Sequence, residues 1–154
     1  MTQNQNTGTM AKHFKKSGFA LLVAILLMFP DQVFSQVRIY LNTDLEGISG
    51  VYKFSQTREK DTPLNIQACE YFMDDVAAVI RGLRDGGADD IVVLDGHGSQ
   101  VVIPHLMEPG ATYVTGHPRP GAGNLSLLDS TFSAMVMIGF HAMMGTPDGV
   151  LNHT

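Results

Sequence analysis

Residues 37–50 read Val37-Arg38-Ile39-Tyr40-Leu41-Asn42-Thr43-Asp44-Leu45-Glu46-Gly47-Ile48-Ser49-Gly50, an apolar run that passes without a break into two carboxylates and a glycine turn. The first five residues have the length and β-branched or aromatic content of a strand. Two more runs of this kind follow, Ile91 to Leu94 and Met135 to Ile138. Near-continuous hydrophobicity in short runs predicts burial on both faces, as in a parallel sheet covered by helices. Thr112 to Thr115 reads as a further, shorter strand, and Gly149 to Leu151 as one more or the approach to one.

Between the first two strands, Ile66, Cys69, Met73, Val76, Ile80 and Leu83 recur at spacings of three and four, which predicts an amphipathic helix with those residues on one side. Thr62-Pro63 suits its entrance and Gly86-Gly87 its exit. The expected fold class is therefore α/β, a mostly parallel sheet flanked by helices. The 45–62 loop is long for a compact domain, and long loops are often functional, so substrate contacts are expected there. The Gly- and Pro-containing stretch Gly116 to Asn124 reads as a surface loop.

Chemistry collects at the strand ends. The first strand runs into Asp44-Leu45-Glu46, the second into Asp95-Gly96-His97 and the third into Phe140-His141. In an open parallel sheet the strand C-termini share one edge, and ligands bind there. Carboxylate oxygens and imidazole nitrogens without sulfur match a catalytic zinc site, and the surplus of carboxylates suits two metals sharing a bridge. The glycines at 47, 50, 96 and 98 permit the turns such a site needs. Asp95 either orients a ligand histidine or caps the turn after its strand. His105 and His117 lack the strand-end placement and read as surface or packing residues. His153 follows a Gly- and Pro-containing turn, 145–149, that can fold it back over the sheet edge.

The first residues read differently. Lys12, Lys15 and Lys16 precede an uncharged apolar run from Phe19 to Phe29 that stops at Pro30. This is the layout of a secretory signal peptide over residues 1–35, and the run falls short of the roughly 20 residues a spanning helix needs. The expectation is an exported, periplasmic or extracellular product without a stable membrane anchor, its domain occupying residues 36–154. Without the three lysines and one aspartate of that segment, seven basic and fourteen acidic side chains remain, a formal charge of −7. A surface of that sign repels phosphate backbones, so nucleic acid is not an expected partner. Cys69 is the only cysteine, which excludes an internal disulfide and a thiolate-rich metal site. Its place on the helix stripe makes it a packing residue.

Thr43-Asp44-Leu45-Glu46-Gly47-Ile48-Ser49-Gly50 resembles the opening motif of the bacterial D-aminopeptidase family of zinc metallopeptidases. Later segments match that family in order: Asp95-Gly96-His97-Gly98-Ser99, Gly139-Phe140-His141-Ala142 and Gly149-Val150-Leu151-Asn152-His153-Thr154. The resemblance implies that Asp44, Glu46, His97 and His141 are ligands of a dinuclear Zn2+ centre and that His153 is the catalytic nucleophile or proton-transfer residue. It also implies release of N-terminal D-amino acids from short peptides, by homo-oligomeric rings whose active sites face an internal cavity. The family draws a further glutamate ligand from sequence beyond its catalytic histidine. That position has no counterpart here, so a truncated chain that holds its second zinc weakly and turns over slowly or not at all is the expectation. Asn152 stands where the family commonly has a small hydroxyl residue, and Phe140 where it often has tyrosine.

Two rival readings share parts of this pattern. A two-metal phosphoesterase uses the same Asp, Glu and His chemistry, but no lysine or arginine lies near the motifs to hold a phosphate. An exported, non-catalytic metal- or peptide-binding fragment would keep the ligands without the turnover.

Overall fold

The computed structural model describes residues 36–98, 100–118, 125 and 127–154. The signal segment read at residues 1–35 and the 119–124 part of the surface loop lie outside the described residues. In chain order the elements are β1 (Arg38–Thr43), α1 (Phe54–Arg58), α2 (Pro63–Asp85), β2 (Asp90–Asp95), a single 3-10 turn at Pro104–Leu106, β3 (Thr112–Val114) and β4 (Ala134–Ile138). The four strands form one sheet in the order β3-β2-β1-β4, and every pairing is parallel. The chain steps outward from β1 through β2 to β3, then returns to place β4 on the other side of β1. That reversal is a topological switch point, where α/β sheets open a crevice beyond the strand ends.

Strand β1 alternates as a central strand must. Ile39 and Leu41 point to one face with Ile91 and Val93 of β2, and Tyr40 points to the other with Val92 and Leu94. The first face is covered by α2, whose Ala68, Cys69, Phe72, Met73, Val76 and Ile80 are all buried. Each large apolar side chain so buried contributes about 1.5–3 kcal/mol. The second face packs on Leu128 and Phe132, the Phe132 ring meeting Tyr40 edge-on at 5.2 Å between centres.

Helix α2 starts and stops where its sequence indicates. The Thr62 hydroxyl accepts from the Asn65 N–H, with Pro63 in the first turn, and a cap of this kind is worth about 1 kcal/mol. At the other end Gly87 takes φ 94°, and Ala88 N–H reaches back to Leu83 O at 2.9 Å to close the last turn. Cys69 is buried on the stripe, and burial pushes its thiol up to about 11, as suits a packing residue.

Three local expectations are corrected. Ile66 is 49% exposed and not part of the buried stripe, which begins at Ala68 and includes Phe72. The first helical turn is held by polar bonds from Thr62 and Asn65 instead. β4 is an edge strand, and its Met135 and Met137 side chains are 43% and 53% exposed among the described residues. Only Val136 and Ile138 pack against the α2 face; Met135 and Met137 alternate onto the other face, outside the cluster around Tyr40. Residues 149–151 form a turn and no strand, with Asp148 and Leu151 in the left-handed region at φ 56° and 53°. Such a conformation is costly for a branched residue. Burial of the Leu151 side chain in the main core holds it there.

Candidate metal centre

The five side chains singled out at strand ends and beyond converge on the C-terminal edge of the sheet. Asp44 and Glu46 leave β1, His97 leaves β2 and His141 leaves β4. His153 returns to the same edge after the buried Leu151 anchor, its N–H directed to Ala142 O at 3.4 Å. Close backbone contacts draw these exits together. Asp44 N–H donates to Ile138 O at 2.9 Å, Gly47 N–H to Gly139 O at 2.6 Å and Gly96 N–H to Thr43 O at 2.9 Å. Three glycines are indispensable to that approach, and a Cβ on Gly47 would collide with the Phe140 carbonyl oxygen. A Cβ on Gly96 would lie 2.1 Å from Thr43 O, and one on Gly139, itself at φ 75°, would lie 2.0 Å from Asp44 O.

Asp44 Oδ1, Glu46 and His97 offer donor atoms that all fall within 4.8 Å of one another. His97 Nδ1 is 3.1 Å from Asp44 Oδ1 and 3.1 Å from Glu46 Oε2. One ring nitrogen thus faces both carboxylates, and Glu46 Oε2 is a buried carboxylate oxygen without a hydrogen-bond partner among the described residues. An unpaired buried carboxylate oxygen is expensive unless a cation reaches it. On the far side, His141 Nε2 lies 3.6 Å from Asp44 Oδ2, and His153 Nε2 lies 3.9 Å from Glu46 Oε1. Each carboxylate thus stands between two histidines.

The same backbone logic sets all three imidazoles. A carbonyl oxygen has no proton to give, so a ring nitrogen in contact with one must carry the hydrogen. His97 Nε2 meets Thr57 O at 3.0 Å, His141 Nδ1 meets Ala142 O at 2.8 Å and His153 Nδ1 meets Leu151 O at 2.7 Å. The opposite nitrogen of every ring therefore faces the carboxylates. This is how metal-binding histidines are oriented in general, with one nitrogen pinned and the other presented.

The electrostatics follow from burial and proximity. Burial alone would raise the Glu46 carboxyl, but His97 and Asp44 beside it bring it down to about 2. Burial alone would lower the His97 imidazole, but the Asp44 and Glu46 carboxylates and the Thr57 carbonyl lift it to about 10. A cationic imidazole clasped by two carboxylates is what a metal-binding cluster becomes when protons take the place of the cation. The donors are oxygen and nitrogen only and their atoms lie close together, so the residues fit a zinc ion.

Other residues settle differently. Asp95 is fully buried and its Oδ2 accepts from Val101 N–H and from the Thr115 hydroxyl, both at 3.0 Å. It closes the loop after β2 and makes no bond to a histidine among the described residues. His105 is exposed, and His117 is exposed with a ring nitrogen 3.3 Å from Gly98 O. The 45–62 segment, where substrate contacts are expected, contributes Thr57 and Phe54, whose ring meets His153 edge-on at 5.7 Å; neither residue is singled out by its type. Thr57 acts through its carbonyl, which no side-chain pattern reveals.

A cleft of about 310 Å³ opens over these groups. Comparison with known proteins agrees with the geometry. The profile of the D-aminopeptidase family matches residues 37–154. The D-aminopeptidase of Bacillus subtilis is 27% identical over 120 residues, which are 77% of this chain and 42% of that protein. Among solved structures, the Zn-dependent D-aminopeptidase DppA from Bacillus subtilis, described as a self-compartmentalizing protease, has a TM-score of 0.69 at 22% identity. It too is matched over 77% of this chain and 42% of its own. The chain thus spans less than half the length of the relatives it matches; within that span it shares the fold of the solved neighbour, and it belongs to the D-aminopeptidase family.

Proposed function

We propose that the protein is a zinc-dependent aminopeptidase that releases N-terminal D-amino acids from short peptides. The observation that carries this reading is the cluster of Asp44, Glu46 and His97 donor atoms within 4.8 Å, flanked by His141 and His153 at the sheet's switch point. In this reading Asp44, Glu46, His97 and His141 hold zinc. Asp44 turns Oδ1 toward His97 and Oδ2 toward His141, so each of its oxygens faces a different one of these residues. Bound zinc supplies Lewis acidity toward a peptide carbonyl and lowers the pKa of water.

The chain's own residues supply the rest. His153 carries its hydrogen on Nδ1, held by Leu151 O, which leaves Nε2 free to accept a proton or to attack. Its ring is stacked on His141 and braced by Phe54, so Nε2 keeps one direction. Glu46, ionised and buried, stabilises positive charge on His153 and on a substrate amino group. Among the described residues lining the cleft there is no lysine or arginine, which disfavours a phosphate ester as substrate.

The test is hydrolysis by zinc-loaded protein of D-alanyl and L-alanyl dipeptides and of an aryl phosphate. Release of alanine from the D-peptide, abolished by a chelator and restored by zinc, supports the reading. Turnover of the phosphate ester alone overturns it, and zinc uptake with no turnover of any substrate favours the metal-binding fragment instead. The relative described as self-compartmentalizing supports a homo-oligomer here, which light scattering on the purified protein checks. Export, proposed from the lysines at 12, 15 and 16 and the apolar run after them, is checked by the N-terminal sequence of the protein recovered from a periplasmic fraction.

A further inference from the structure

The 50–58 segment contains a glutamine with no evident chemistry and an unusual degree of burial. Gln56 is 3% exposed, and every polar atom of its side chain is used within the segment. Its Oε1 accepts from Tyr52 N–H and Lys53 N–H, both at 2.9 Å, and its Nε2 donates to Gly50 O at 3.0 Å. Asn65, in the first turn of α2, donates from Nδ2 to Gln56 O at 2.8 Å. Helix α1 has five residues, too few to hold a conformation by its own hydrogen bonds. The side-chain bonds of Gln56 and Asn65 therefore decide where its backbone lies.

The next residue is Thr57, buried, with its carbonyl 3.0 Å from His97 Nε2. His141 and His153 are pinned by carbonyls within two residues of themselves, so their ring directions are set locally. His97 alone among the three takes its partner from a segment forty residues away in sequence. Without that carbonyl the neutral ring is free to carry its proton on either nitrogen, and the Nδ1 tautomer would turn an N–H toward the carboxylates in place of a lone pair.

We propose that Gln56 and Asn65 are positioning residues for the metal centre: they hold a strap whose Thr57 carbonyl fixes the His97 tautomer so that Nδ1 is the nitrogen offered to the cation. The proposal rests on the zinc reading above.

The experiment is chelator-competition titration of Zn2+ into wild type, Gln56→Ala and Asn65→Asp, with long-range proton–nitrogen spectra of the zinc-loaded, nitrogen-15 histidine-labelled proteins. In wild type His97 is expected to be protonated at Nε2 and ligated through Nδ1. Both variants are expected to bind zinc roughly 10- to 100-fold more weakly, the range for loss of a group that orients a ligand. Their His97 signals should lose the single-tautomer pattern. Asn65→Asp separates positioning from folding, because an aspartate in the first turn suits the helix dipole and the thermal midpoint should change little. Wild-type affinity and tautomer in folded Asn65→Asp would overturn the proposal, as would Nδ1 protonation of His97 in zinc-loaded wild type. Failure of wild type to take up zinc at all would instead sink the metal reading beneath it.

Discussion

The imidazole of His153 lies flat on that of His141, ring centres 3.6 Å apart and planes inclined by 19°, although twelve residues and a left-handed turn separate them. The stack joins the group proposed for proton transfer to a proposed ligand and gives both rings one orientation toward Asp44 and Glu46. His153→Ala should then reduce peptide turnover by roughly 100-fold or more, the usual contribution of a positioned acid or base. Zinc content, measured by metal analysis after dialysis, should be unchanged. Loss of the metal with the side chain would make His153 a ligand.

Zinc affinity should depend steeply on pH. His97 is held near 10 in the metal-free site by the two carboxylates and the Thr57 carbonyl, against the opposing effect of burial. Zinc must displace that proton, so affinity should rise about tenfold per pH unit between pH 6 and 8. Competition titrations at three pH values read the slope, and a flat profile would place the metal away from His97.

The chelated protein should have a stability maximum on the acid side of neutrality. Glu46 is depressed from 4.5 to about 2, so its contribution is present above 4.5 and lost as pH falls toward 2. His97 is raised from 6.5 to about 10, so its contribution is full below 6.5 and lost as pH rises through 10. Both are complete only between pH 4.5 and 6.5. Urea midpoints across pH 3 to 9 test this, and zinc should move the maximum to higher pH.

Gly139→Ala should cost about 3 kcal/mol or more, since the new Cβ would collide with Asp44 O and the backbone would be forced to keep a positive φ. Gly82→Ala is the control. Its Cβ meets nothing within 4 Å on α2, and it should stabilise by roughly 0.5–1 kcal/mol. Denaturant midpoints compare the two directly, and equal effects would deny the packed meeting of the β1 and β4 exits.

Much of the fold was legible because local sequence and tertiary position agree. The Thr62-Pro63 entrance, the Gly87 exit and the three apolar runs each mark what the structure contains. Ile66 and the β4 methionines escaped that logic, because periodicity cannot tell a helix turn anchored by polar bonds, or an edge strand, from a buried one. The carboxylates and histidines were legible as strand-end residues. Their grouping follows from parallel pairing, which carries every such end to one edge.

The sequence by itself determined the α/β class, the chemistry of the donor set and the order in which its members arrive, since side-chain type and strand-end position are local properties. Only the tertiary structure decided which nitrogen His97 presents, that Asp95 closes a loop and takes no part in the cluster, and that Thr57 reaches His97. Those outcomes depend on where distant backbone carbonyls and amides come to rest, and every residue type carries the same ones.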